Sequence, residues 1–420
     1  MAFLFIIHYL VRMKTHGAGN NPFAKKSSFL LIAGIMFAAL NLRIGLTSFP
    51  PLLDDISREL SLSNAQGGLL NTLPFMLFGV FALLSRQARN FGIEKSLFIA
   101  LALITLGTLG RPLGGSFLLF GGTVLISIGI ALGNVLLPSM LKRDFPEKIT
   151  LITTVYVTLM TVASATASGI AVPLAMLGSK IATPASETSA LNWRFSLAVW
   201  AVLGLLALLI WLPRLKDSHA QTKKRSAATL DASVWKSPLA WEISLFMVFL
   251  TIGGGTFFTW LPGIVQSLGT DQQTGGWLLG LYQVMGLLAG LALPLLVPRM
   301  KDQSLLACVS GLFCATGALG LYLYPAFPWL WVTLAGFGNG MAFILCLTFI
   351  SLRTKSETEA ADLSGMVHCI GYLGGAAGPF LFGFMFDRLG SWDIPLILLF
   401  IAALGQAWFG LRSGLKKLIK

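Results

Sequence analysis

The sequence predicts an all-α polytopic membrane protein: twelve transmembrane helices in two six-helix bundles. Three observations predict it. First, 55% of the 420 residues are hydrophobic and 11% are charged, whereas a soluble domain is about a quarter charged. Second, twelve apolar segments follow one another, most of them long enough for the ~20 residues that cross a bilayer as a helix. Third, 24 of the 30 Lys and Arg fall in alternate connections and at the two ends, five fall in the opposite connections, and one, Arg43, falls inside a span. That asymmetry puts both ends on the cytoplasmic side. It also accounts for the net charge of +13 without a nucleic-acid partner.

The first bundle occupies residues 28–213. Its apolar segments are Ser28–Pro50, Ala65–Leu84, Ser96–Leu109, Phe117–Leu141, Ile149–Leu177 and Trp193–Pro213. Residues 1–27 read as a polar cytoplasmic leader. Met1–Val11 is apolar but too short to span, and its charges follow the apolar run, the reverse of a secretory signal; it reads as an interfacial helix, or as upstream of a start at Met13. Residues 214–236 carry Lys223-Lys224-Arg225 and read as a solvated linker. The second bundle, residues 237–411, holds the segments Pro238–Val265, Gly275–Pro298, Ser304–Tyr324, Trp329–Leu352, Leu363–Phe386 and Trp392–Leu411, with a cytoplasmic tail at 412–420. Repetition between the halves is faint: Leu83-Leu84-Ser85-Arg86 is matched by Leu296-Val297-Pro298-Arg299, and Gly133-Asn134 by Gly338-Asn339.

Arg43 is the costly residue. It lies 17 residues beyond Lys26 and 11 before Asp54, so the nearer flank is ~16 Å away. A guanidinium at that depth costs at least ~2.5–3.5 kcal/mol on insertion scales and must face a watery cavity or a partner. As a ligand its fork suits the two oxygens of a carboxylate-like or nitro group, and its charge suits an anion. The alternative is a structural Arg bonded to carbonyls of a neighbouring helix. Thr47 shares its face, while Asn41 is about 200° round the helix.

No carboxylate lies deep in a span, which disfavours a cationic substrate. Glu242, Asp387 and Arg388 read as boundary residues, and Arg111 and Arg194 as interfacial anchors. The four cysteines all lie in apolar spans and suggest neither a disulfide framework nor a metal site. His368, ~9 Å into the eleventh span, is a candidate carrier of a coupling proton or a hydrogen-bonded packing residue. Gly253-Gly254-Gly255 gives up helix propensity without a directional packing gain, and Trp260-Leu261-Pro262 follows it. A hinge with a kink or partial unwinding is therefore expected at Gly253, Gly254, Gly255 and Pro262. Polar and aromatic candidates for a cavity wall are Asn134, Tyr156, Trp260, Tyr282, Gln283, Asn339 and Tyr372.

Several stretches together carry a resemblance: Asn41-Leu42-Arg43 with Pro51-Leu52-Leu53-Asp54, Gly68-Leu69-Leu70 with Leu73-Pro74, Phe91-Gly92-Ile93-Glu94-Lys95-Ser96-Leu97, Gly129–Pro138 with Lys142-Arg143-Asp144-Phe145-Pro146, Ser237-Pro238-Leu239-Ala240-Trp241, Trp260-Leu261-Pro262, and Ser364-Gly365-Met366 with Gly371-Tyr372. Over nearly the whole chain the sequence resembles the cyanate and 2-nitroimidazole transporters of the major facilitator superfamily. The resemblance implies a secondary transporter of the bacterial inner membrane. Spans one, four, seven and ten would line the path, which favours Asn134, Trp260 and Asn339. Tyr156, Gln283 and Tyr372 would belong to the neighbouring, gating spans. The superfamily's Asp-Arg pair after the second span is not kept: Arg89 takes the acidic place, so that loop's charge relay is not carried over.

The expected function is alternating-access transport of a small planar solute, a 2-nitroimidazole-like compound or a cyanate-like anion. A proton-coupled exporter of broader drug specificity is the alternative. The substrate-binding set is Arg43, Thr47, Asn134, Tyr156, Trp260, Gln283, Asn339 and Tyr372. No Gly-rich phosphate loop ends in Lys-Ser or Lys-Thr, which argues against ATP drive. An enzyme would need a nucleophile–base pair or a metal cluster, and a membrane sensor an output domain larger than the 23-residue central stretch. The expected partners are the solute, membrane lipids and protons, with no cofactor and a monomeric chain.

Overall fold

The computed structural model describes residues 22–88, 92–145, 149–182, 192–217 and 232–419. The candidate starts Met1 and Met13, Arg89 and the Lys223–Arg225 run lie outside the described residues. The spans are helices α1 to α12. α1 (Pro22–Thr47) continues through a 3-10 turn, Pro50–Leu52, into a short helix, Leu53–Leu60. α2 (Asn64–Ala88), α3 (Ile93–Gly110) and α4 (Ser116–Asp144) follow. α5 is in two pieces, Ile149–Gly169 and Ala171–Ala182, bent by 50°. α6 is likewise divided, Trp193–Ala198 and Ala201–Trp211. The second half comprises α7 (Pro238–Ser267), α8 (Gln272–Leu296), α9 (Ser304–Leu323), α10 (Pro328–Leu352), α11 (Glu357–Gly375 and Ala377–Leu389) and α12 (Asp393–Ser413).

Among the described residues, ten helices are long and apolar enough to cross a membrane, and eleven with the bent α5. With the 25-residue α2 the series reaches the predicted twelve. Helix starts follow local chemistry. Pro238 and Pro328 open α7 and α10, where a missing N–H costs nothing. Asp271 caps α8 by accepting from Thr274 N at 2.9 Å; that bond, with one from the Thr274 hydroxyl, holds its carboxyl below the usual range. One of the two forms expected at the glycine triplet is absent: α7 is helical from Pro238 to Ser267, with no unwinding at Gly253–Gly255. The linker is corrected in part, because Ala232–Lys236 is helical and Val234 is fully buried in the second half's core.

Each half has its own apolar core. One gathers Leu31, Ile35, Met36, Leu97, Ile104 and Trp211; the other gathers Phe246, Leu345, Phe349 and Met366. A third cluster crosses between halves, joining Phe49, Leu52 and Ile56 to Trp260, Tyr282 and Phe382. It lies toward the end of the molecule where Asp387 sits. Outward-facing side chains such as Leu106, Leu209, Ile401 and Trp408 are exposed and apolar, as contact with lipid tails requires.

The halves meet where α2 packs on α11 and α5 on α8. At Gly68 a Cβ would stand 2.3 Å from the Pro379 carbonyl oxygen, so only glycine permits that approach. Polar ties reinforce the seam. Asp387 accepts from Asn64 N (3.0 Å), Asn64 Nδ2 (2.7 Å) and Ala65 N (2.8 Å). Gln272 Nε2 donates to Pro51 O (2.8 Å) and Asp55 Oδ2 (2.6 Å). Thr72 Oγ1 donates to Ala376 O at 2.8 Å, and the Ser164 hydroxyl donates to Gln283 Oε1. These ties run from the Asp387 end to mid-span. At the opposite end, prominent charged contacts stay within one half. Arg143 pairs with Glu94 at 2.6 Å, and carboxylate bonds from Asp144 and Glu94 hold its guanidinium above the ordinary arginine value. Arg353 donates to Gln303 Oε1 and Gly414 O, both at 2.8 Å.

Candidate functional site

α1 buries Leu42, Ile44 and Leu46 against its own half, and this turns Arg43 the other way. Its side chain is exposed to water although Tyr156 of α5 and Tyr372 of α11 stand close enough to feel its charge. Because α11 belongs to the other half, Arg43 faces a water-accessible space between the halves rather than lipid. It has no hydrogen bond or ion pair among the described residues. A guanidinium at mid-span is tolerated where water reaches it, and with no protein partner its donors remain free for an anionic or polar group.

Aromatic rings border the same space. Tyr372 lies 6.4 Å from Phe75 and 5.9 Å from Phe78 between ring centroids, and Phe75 and Phe78 are 6.4 Å apart. His368 lies 5.7 Å from Tyr372. His368 Nδ1 is 2.8 Å from Ser364 O; a carbonyl only accepts, so Nδ1 carries the proton in the neutral ring and Nε2 remains an acceptor. Asn134 is exposed on α4, one residue past Gly133, which packs on Leu42 of α1. Asn339 of α10 lies against α7, its amide atoms 2.8 Å from where a Cβ on Gly254 would be.

Two of the expected ligands, and one expected anchor, are held in buried contacts in this state. Thr47 is fully buried and donates to Arg43 O at 3.2 Å, so its hydroxyl serves its own helix. Trp260 is 2% exposed, donates to Pro379 O at 2.8 Å and packs on Trp392 at 5.4 Å; it is a strut between α7 and α11. Arg111 is not an interfacial anchor: it is 3% exposed and donates to Gly45 O (2.6 Å) and Thr123 Oγ1 (3.0 Å), beneath the last turn of α1. Gln283 lies on the seam, bonded to Ser164. Within the glycine triplet, Gly255 accommodates the Phe75 ring, whose Cε2 is 3.2 Å from the site of its missing Cβ, whereas Gly253 faces open space.

Phe75, Phe78, Ser164 and Asp387 were missed by sequence reasoning as site or seam residues. In an apolar span a phenylalanine facing the cavity and one facing lipid read alike. Only the adjacency of α2 and α11, a tertiary fact, separates them.

A model of the Major Facilitator Superfamily matches residues 31–379. The chain belongs to this superfamily. Within it, the chain is 42% identical over 396 residues to the 2-nitroimidazole transporter of Escherichia coli K12, covering 94% of this chain and 98% of that one. It is 28% identical over 361 residues to the cyanate transport protein of the same organism, covering 85% and 90%. It is therefore a major facilitator of the cyanate and 2-nitroimidazole transporter family. The fold is also that of a nucleoside transporter, with a TM-score of 0.74 at 14% identity over 91% of this chain and 99% of that one. This major facilitator is a multi-pass transporter and not an enzyme.

Proposed function

We propose that this major facilitator moves a small planar solute bearing a carboxylate-like, nitro or cyanate-like group, by alternating access around Arg43. The observation that carries the reading is the open, unpaired guanidinium between the two halves. A planar fork donates two parallel bonds to paired oxygens, and Tyr156 and Tyr372, both close enough to feel the Arg43 charge, are the candidates for further contacts. The 2-nitroimidazole and cyanate transporters among its relatives handle solutes of this kind. Asn134 and Asn339 are the remaining polar candidates for the wall, and His368 is the candidate carrier of a coupling proton.

The Lys and Arg bias assigns the Arg353 end to the cytoplasm. On that assignment both termini are cytoplasmic, the protein acts as a monomer in a bacterial inner membrane, and the seam from Asp387 to mid-span closes the outer side. The state described is then open inward. Binding and proteoliposome flux of 2-nitroimidazole and of cyanate test the reading, with Arg43→Gln and Arg43→Lys beside the parent. Folded Arg43→Gln is expected to lose at least about tenfold in affinity, the worth of a charge-assisted bidentate contact, and Arg43→Lys to recover little. Normal flux through folded Arg43→Gln would make Arg43 structural.

A further inference from the structure

We infer that Phe75, Phe78 and Tyr372 form an aromatic wall beside Arg43 that selects a ring-bearing planar solute over a linear anion. The inference rests on the reading of Arg43 as the solute's polar anchor. The three rings come from both halves, Phe75 and Phe78 from α2 and Tyr372 from α11, and lie 5.9–6.4 Å apart between centroids. Each is only half-buried, so each keeps some surface beyond its ring neighbours, which for Tyr372 include His368. Phe78 meets Tyr372 edge to face, at 72°, which sets the two ring faces in different directions and makes a corner rather than a flat sheet. Tyr372 ties that corner to the anchor, because its phenol is within reach of the Arg43 charge.

The surrounding helices make room for it. Phe75 sits over Gly255 and would be crowded by a Cβ there, so the absence of a side chain at that position gives the ring its seat. A solute ring in that corner has faces and edges to stack against aromatic neighbours, each pair worth about 2- to 10-fold in affinity. A three-atom linear anion has no face to stack and would gain from Arg43 alone. Discrimination therefore comes from the rings, and shared affinity from the guanidinium.

The test uses the purified full-length protein and measures Kd for 2-nitroimidazole, benzoate and cyanate. Thermal unfolding of each variant reports folding. The parent is expected to bind both ring solutes at least tenfold more tightly than cyanate. Phe75→Leu and Phe78→Leu are expected each to weaken the ring solutes 2- to 10-fold and leave cyanate within twofold. Phe75→Tyr, which keeps the ring, is expected to retain the preference even if Phe75→Leu does not fold. Unchanged ring-solute affinity in the folded leucine variants overturns the wall, as does equal weakening of all three solutes. If the leucine variants behave as expected but Arg43→Gln binds every solute normally, the wall stands and the anchor is elsewhere. If the parent binds none of the three, both readings fall.

Discussion

Replacing Asp387 by Ala should loosen one end of this protein without touching the solute site. The carboxylate caps the first turn of a helix in the other half: it accepts from two backbone N–H groups and one side-chain amide of α2, at 2.7–3.0 Å. Those N–H groups have no partner within their own helix. An N-cap is worth about 0.5–2 kcal/mol, and an anion at a helix N-terminus about 0.3–1 kcal/mol at exposed sites. Asp387 is exposed, so the lower part of the combined range applies, about 1–2 kcal/mol. That shifts a conformational ratio about 5- to 30-fold, so a separated population of about 1% would rise to roughly 5–20%. Gln272, still bonded to Pro51 and Asp55, should keep the seam from opening fully. Spin labels at Ser61→Cys and Gln273→Cys, exposed residues on opposite halves at this end, would read the change. The four native cysteines would be replaced in every variant. A longer-distance population should grow in Asp387→Ala and grow less in Asp387→Asn, which keeps one acceptor oxygen. Identical distance distributions in parent and Asp387→Ala would refute the latch.

Other perturbations separate structural residues from ligands. Trp260→Phe removes a buried bond to Pro379 O and should cost about 1–3 kcal/mol of stability. It should lower the thermal unfolding midpoint while leaving the solute Kd within twofold; the opposite pattern would return Trp260 to the binding site. For Arg43 and the ring wall, the expected outcomes are loss of every anionic solute in Arg43→Gln, and selective loss of ring solutes in Phe75→Leu and Phe78→Leu.

The architecture was legible because a bilayer forces it. Helix is the way to satisfy backbone groups within each span, so apolar run length was enough to count the segments. Arg43 stood out for the same reason, because a charge at that depth has few uses; its place between the halves came from the structure. The rest of the site depends on which helix faces meet. Trp260 was expected on the wall because α7 lines the path in the superfamily, but an indole N–H buried at a helix crossing is drawn to the nearest free carbonyl, here Pro379 O. Thr47 shares a face with Arg43, yet a hydroxyl near a helix end bonds back to the preceding turn. Asp387 was placed at a span boundary, correctly as to depth. Its role could not be read, because its partners lie 322 and 323 residues away in sequence.

Gly253–Gly255 divides two accounts of the same glycines. If the triplet is a hinge, each alanine substitution stiffens the helix by about 1 kcal/mol, and all three should slow flux alike with little effect on solute affinity. If the triplet is a recess in the wall, the three positions differ, because their surroundings do. A Cβ on Gly253 meets nothing within 4 Å, one on Gly254 comes within 2.8 Å of the Asn339 amide, and one on Gly255 comes within 3.2 Å of the Phe75 ring. Gly253→Ala should then be silent. Gly254→Ala should displace Asn339, and Gly255→Ala should shift Phe75 by a few tenths of an ångström and weaken ring solutes more than cyanate. The unbroken helix from Pro238 to Ser267 favours the recess in the state described. Equal slowing by all three alanines with unchanged Kd would restore the hinge.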